Sequence, residues 1–257
     1  WIWWRSVQIN ARRGRNNGHI GQVRVLCHGR GRKTCAQQQR GDCSLQTHTH
    51  VEILYRYCSI DQPQSTAQSR RMTFSSRITR SPIPFDPARG QDAAEPFGDF
   101  CNEVRGLIAG AAGCSPYIAG LLARDGAWLR DVLDHPDAAL QDELVRIAQL
   151  PLPDLAQGLR VAKRRIALLA GIADLGGVWT LEDVTQALSN LADGAVDVAL
   201  KRLVGAEIAR GKIPGQTGDD AGTAAGMVSI AMGKGGAYEL NYSSDIDLIC
   251  LFDETRF

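Results

Sequence analysis

The sequence contains no run approaching the roughly 18 consecutive apolar residues that a membrane-spanning helix requires, and no secretion signal is evident. A membrane partner is therefore not expected. No two of the seven cysteines stand at the two-to-four-residue gap of common structural zinc sites, so the histidines and cysteines gathered near the N-terminus do not read as a metal knuckle. No methionine precedes Met72. Both standard nucleotide loops are missing as well. A Walker A loop needs Ser or Thr after Gly-Lys, whereas Lys234 is followed by Gly235, and a dinucleotide fingerprint needs glycine where Tyr238 stands.

The net charge of +1 over 257 residues conceals a division. Residues 1–71 carry 12 Arg and Lys against 3 Asp and Glu, a net of +9, while residues 72–257 carry 17 against 25, a net of −8. The basic segment has no helical or alternating period and opens on Trp1-Ile2-Trp3-Trp4. It is expected to be unstructured and to be a non-native upstream translation, with the protein beginning at Met72. Its aromatics are bunched at the terminus rather than interleaved with the arginines, so nucleic acid is not expected as a partner. Residues 72–96 read as a flexible arm rich in proline (Pro82, Pro84, Pro87).

Residues 97–210 read as a helical region. Phe97, Phe100, Val104, Leu107 and Ile108 have the spacing of one amphipathic helix, and Ser115-Pro116 opens a second. Gly126 should separate that helix from Trp128, Leu129, Val132 and Leu133, and His135-Pro136 should break the run before a helix holding Leu140, Leu144, Val145 and Ile147. Asp154 is placed to cap a long helix whose middle, Arg160 to Arg165, is basic. Those cations are either a solvated face with i, i+4 partners or a surface turned toward a nucleotide or an acidic partner. Gly176-Gly177 ends the helix, and Thr180 with Glu182 and Asp183 starts the next. The span from Gly211 to Ala225 has the content of a loop, with Asp219 and Asp220 as solvated charges.

From Gly226 to Glu254 the pattern changes to two short apolar runs joined by Gly233-Lys234-Gly235-Gly236. The second run holds Asp245 and Asp247, two apart, which on a strand project to one side while Ile246, Leu248, Cys250 and Phe252 project to the other. Such a pair is either a solvated strand face or a divalent-cation site, and magnesium suits two carboxylates completed by water and phosphate. Backbone amides of the glycine loop could take phosphate oxygens, with Lys234 as a point charge.

Gly233-Lys234, Gly236-Ala237, Glu239-Leu240-Asn241 and Ser243 to Ile249 together resemble the signature of the glutamine synthetase adenylyltransferase/adenylyl-removing enzymes, a branch of the nucleotidyltransferase superfamily. A looser likeness covers Leu159 to Leu203, including Leu191-Ala192-Asp193. Gly235 departs from the family, which has an apolar residue there. The resemblance implies an α+β fold in which a mostly helical region leads into the first strands of a mixed sheet, beginning at residue 211. It implies that Asp245 and Asp247 are catalytic and bind Mg2+, and that Gly233, Lys234, Gly235, Gly236 and Ser244 lie near nucleotide phosphates. The implied reaction is that of the N-terminal half, phosphorolytic removal of AMP from a tyrosine of glutamine synthetase, with ATP, ADP and inorganic phosphate as nucleotide substrates or products and a nitrogen-signalling PII protein as regulator. The alternatives are a nucleotidyltransferase acting on RNA or a small molecule, and a non-catalytic helical interaction module.

Superfamily sites usually add a third carboxylate from a later strand. Asp253 has the right parity, but six strand residues carry it roughly 20 Å beyond Asp247. With Glu254 no better placed, the chain is expected to be a truncated product with little activity by itself. Cys101, Cys114 and Cys250 are expected to be reduced and buried, which suits a cytoplasmic protein. N-terminal sequencing of the native product should return Met72 or the residue after it; a peptide beginning at Trp1 would refute the non-native leader.

Overall fold

The computed structural model describes residues 73–257, and the expectations for residues 1–71 lie outside the described residues. The described part begins with a strap. A short helix, α1 (Phe74–Arg77), sinks Phe74 into the main core, where it is 1% exposed. Beyond it, the Thr79 amide donates to the Gly176 carbonyl at 2.9 Å and Arg77 donates to the Val178 carbonyl at 3.0 Å. With the Asp86 amide also donating to the Gly113 carbonyl at 3.1 Å, the segment is fastened to the helical layer by hydrogen bonds to backbone carbonyls rather than loose, which corrects the expected flexible arm. α2 (Pro87–Ala94) follows, with the Asp86 carboxylate accepting from the Arg89 amide and Pro87 at its first turn.

Phe97 and Phe100 do not belong to the next helix as their spacing suggested. Glu95–Phe97 is a single 3₁₀ turn, and α3 (Asn102–Cys114) starts later. The reason lies in Arg130, which donates to both Asp99 carboxylate oxygens at 2.8 and 2.9 Å and lies over the Phe97 and Phe100 rings. That clamp holds 97–101 as a compact turn, with Phe97 still buried. α4 (Pro116–Val132) is capped by the Ser115 hydroxyl, as expected, yet runs straight through Gly126. Burial of the flanking Leu122 and Leu129 outweighs the roughly 1 kcal/mol that a helical glycine costs.

α5 (Pro136–Ala148) and α6 (Leu152–Leu175) come next. Pro151 occupies the capping position of α6, so Asp154 lies in its first turn rather than at its cap. Ile166 through Ala170, with Ile172 and Ala173, are all at most 4% exposed. A helix apolar around its whole circumference has to be surrounded, and α6 is packed by α3, α4, α5 and α7. α7 (Leu181–Ala209) starts with a reciprocal capping box between Thr180 and Asp183.

The basic middle of α6 divides its roles. Arg164 Nε lies 2.9 Å from Asp125 Oδ2, and Arg165 Nη1 lies 2.6 Å from Glu143 Oε1 while its guanidinium covers the Trp128 ring. Arg146 Nη2 approaches the second Glu143 oxygen at 2.6 Å. Asp125 and Glu143 are buried, so these arginines serve internal carboxylates, whereas Arg160 and Lys163 are exposed. The partners come from neighbouring helices rather than from i, i+4 pairs on α6.

Past α7 the chain makes a second, smaller core in which Val204, Ile208 and Ile213 pack with Ala224 and Ala225. β1 (Val228–Met232) and β2 (Asp247–Leu251) then form an antiparallel two-stranded ribbon, joined by a long connection that opens with one helical turn, α8 (Gly233–Gly236). The architecture is α+β: a helical bundle leading into the ribbon. Among the described residues, no helix is long and apolar enough to cross a membrane. Cys101, Cys114 and Cys250 are free thiols but exposed, correcting their expected burial. Removing one partner of a buried charge cluster leaves the others uncompensated. Glu143→Ala should therefore lower unfolding stability by about 3 kcal/mol, measured by urea titration.

Candidate functional site

The approach to the ribbon is fixed by its backbone. Ala224 and Ala225 have φ of 49° and 53°, left-handed values that cost an L-residue roughly 1–2 kcal/mol each. Both methyl groups are buried in the second core, which helps hold the bend. Arg256 braces the same region from beyond β2, donating to Gln216 Oε1 at 2.8 Å and to Asp220 Oδ1 at 3.2 Å. Asp220 also accepts from the Thr217 amide and hydroxyl, which together with Arg256 hold its carboxyl below the usual aspartate range. Asp220 is thus a structural anchor rather than a merely solvated charge.

Within the ribbon, Met232 at the end of β1 pairs with Asp247 at the start of β2. The next residue, Gly233, has φ of +56°, and a Cβ placed there would lie 3.7 Å from Asp247 Oδ2. The glycine turn and the Asp247 carboxylate are therefore neighbours. The expected loop is one turn of helix, closed by the Ala237 amide to the Gly233 carbonyl at 3.1 Å and the Glu239 amide to the Lys234 carbonyl at 2.9 Å. Lys234 is exposed.

Asp247 shares its face of β2 with Ile249 and Leu251, while Leu248 and Cys250 take the other, as alternation predicts. Asp245 does not share the strand. It stands exposed in the irregular stretch just before Asp247, because β2 begins only where pairing with Met232 begins. Nor does one face close over apolar residues. Val228, Ile230, Met232, Ile246, Leu251 and Phe252 are each 38–53% exposed.

Ser244 belongs to a tight turn. Asn241 Oδ1 accepts from the Ser243 amide at 3.1 Å and from the Ser244 hydroxyl at 2.9 Å, and the Ser244 oxygen accepts from the Asn241 amide at 3.1 Å. Its hydroxyl proton shapes the backbone ahead of Asp245. Asp253 lies beyond β2, where its carboxylate accepts from the Thr255 amide and hydroxyl, and these bonds keep its pKa low. Among the described residues, no three His, Cys, Asp or Glu side chains converge to hold a metal ion. Asp245 and Asp247 are both exposed.

Sequence reasoning missed two residues. The Tyr238 hydroxyl donates to Asp193 Oδ2 on α7 at 2.9 Å. Tyr242 packs its ring against the main core, where burial, with Asp174 and Tyr117 nearby, pushes its phenol pKa up. The available signal was two tyrosines flanking Leu240 in a connection otherwise made mostly of small and polar residues.

A helical bundle that leads into a two-stranded ribbon with Asp247 beside a glycine turn is consistent with the α+β arrangement of a nucleotidyltransferase-type domain. Residues 106–256 match the family described as glutamate-ammonia ligase adenylyltransferase, and the chain belongs to that family. It is 40% identical over 155 residues to the bifunctional glutamine synthetase adenylyltransferase/adenylyl-removing enzyme of a Bradyrhizobium species. To the proteins of the same name from Caulobacter vibrioides and Bradyrhizobium diazoefficiens it is 38% identical over 174 residues and 42% identical over 166. These alignments cover 58–63% of this chain but only 16–18% of the relatives' length. No solved structure matches.

Gly235 and Gly236 can be told apart experimentally. A Cβ at Gly235 would sit 3.6 Å from the Ala231 Cβ, an ordinary contact, so the apolar residue that the family carries there would fit. At Gly236 it would lie 2.5 Å from the Ala231 carbonyl oxygen. Gly235→Ala should be neutral or stabilising by up to about 1 kcal/mol, and Gly236→Ala destabilising locally by about 2 kcal/mol. Amide hydrogen exchange across β1 and β2 should separate the two variants.

Proposed function

We propose that this chain contributes to Mg2+-dependent, phosphorolytic removal of AMP from a tyrosine of glutamine synthetase. The observation that carries the reading is the position of the Asp247 carboxylate beside Gly233, which places acid and glycine turn at one point on the ribbon. Family membership supports the same class of chemistry. In this reading Asp245 and Asp247 hold the metal, which when bound would neutralise charge on the phosphoryl group being transferred.

The chain's own groups position the reactants. The amides of Gly233, Lys234, Gly235 and Gly236 meet phosphate oxygens, Lys234 adds a positive charge, and Ser244 sets the turn from which Asp245 projects. An oxygen of inorganic phosphate attacks the AMP phosphorus, forming the bridging P–O bond of ADP. The bond from phosphorus to the tyrosine oxygen breaks, and the tyrosine recovers a proton. Glutamine synthetase is thus the protein substrate, a PII-type protein the regulator of the whole enzyme, and the cytoplasm the place where it acts.

In the native full-length protein, Asp247→Asn should reduce phosphate-dependent ADP release from adenylylated glutamine synthetase at least 100-fold, with the thermal midpoint unchanged. Undiminished turnover would remove Asp247 from the mechanism. RNA substrates assayed in parallel should give no nucleotidyl transfer.

A further inference from the structure

We infer that Tyr238 and Tyr242 are positioning residues that pin the acidic segment to the helical bundle, making α6 and α7 part of the nucleotidyl-transfer apparatus. The inference deepens the function proposed above and rests on Asp245 and Asp247 being its metal-holding carboxylates.

The argument starts from the connection between the strands. Met232 and Asp247 are paired, yet the chain between them runs through Gly233 to Ile246. A two-residue hairpin turn fixes register by its own geometry, but so long a connection does not. A slip of one residue would turn Asp247 to the opposite face of the ribbon. Something outside the ribbon has to hold the connection, and two aromatic side chains reach out of it to different helices.

Tyr238 has φ of +58°, a left-handed conformation uncommon for a bulky side chain. Such strain persists where surrounding contacts enforce it. The hydrogen bond from its hydroxyl to Asp193 Oδ2 on α7 is such a contact. Leu240, two residues on, is 4% exposed. Tyr242 then packs into the main core beside Asp174 of α6 and Tyr117 of α4. Its hydroxyl is buried without a hydrogen-bond partner of normal geometry, so the ring supplies the hold. Immediately afterwards the Asn241–Ser244 turn delivers Asp245.

The 257-residue chain and its variants can be tested by two readouts, amide hydrogen exchange at residues 246–249 and Mn2+ affinity measured by electron paramagnetic resonance with ADP present. Tyr238→Phe and Asp193→Ala each remove the hydrogen bond between the hydroxyl and the carboxylate, which corresponds to about a tenfold effect. Each should speed exchange and weaken Mn2+ binding by about that factor, and the double variant should be no worse than either single one. The thermal midpoint of the bundle should stay put. Tyr242→Phe should behave as wild type, whereas Tyr242→Ala should reproduce the loss. Should Tyr242→Ala unfold the bundle, the Tyr238 and Asp193 variants decide.

Unchanged exchange and Mn2+ affinity in Tyr238→Phe and Asp193→Ala would overturn the inference, even if Asp247→Asn abolished Mn2+ binding and so upheld the metal site. Mn2+ binding that survived Asp247→Asn would instead strike the proposed site and leave the exchange result to judge the tethers. A lowered thermal midpoint with unaltered Mn2+ affinity would reduce the tyrosines to structural residues and also overturn the inference.

Discussion

The fold depends on burying one helix from every side. α6 presents apolar residues around its circumference from Ile166 to Ala173, so α3, α4, α5 and α7 have to close about it. That demand explains features remote from α6 itself. The strap from Thr73 to Arg80 lies along its C-terminal end, with Arg80 donating to the Asp174 carbonyl at 2.7 Å. The arginines just before the apolar stretch are drawn inward, where Asp125 and Glu143 meet them. Buried ion pairs of this kind add little net stability over apolar packing, but they penalise any arrangement in which one partner is missing. Hydrophobic burial supplies the driving force, and the charge cluster restricts how α4 and α5 can lie against α6.

Much of this was legible in the residues. Ser115-Pro116, Thr180 with Asp183, and Gly176-Gly177 are local signals whose hydrogen bonds form within a few positions, so the sequence shows them directly. The boundaries that failed were those set by distant partners. Phe97 and Phe100 have helical spacing, but Arg130 from α4 holds them in a turn. Gly126 looks like a break until the burial on either side of it is known. The proline-rich arm looked loose because its hydrogen bonds lie about a hundred positions away in the chain.

The candidate site divides in the same way. The glycine turn, the order of its residues and the alternation along β2 followed from composition and period. The start of the strand did not, because β2 begins where Met232 can pair with it, and this leaves Asp245 outside. Tyr238 and Tyr242 carried no periodic signal. Their contacts reach Asp193 and the core beside Asp174, partners that only the tertiary structure brings close. A glycine turn with two acids therefore leaves out the two tyrosines that tie the same connection to the helices.

Cys250 has a practical consequence. Its thiol is exposed, and alternation puts it on the side of the ribbon away from Asp247 while keeping it in the same five-residue strand. A fluorophore attached there would report on movement of the acidic segment without entering the space where metal and phosphate are proposed to meet. Cys101 and Cys114, which are also exposed and lie at the ends of α3, would first have to be replaced by serine, as would Cys27, Cys35, Cys43 and Cys58.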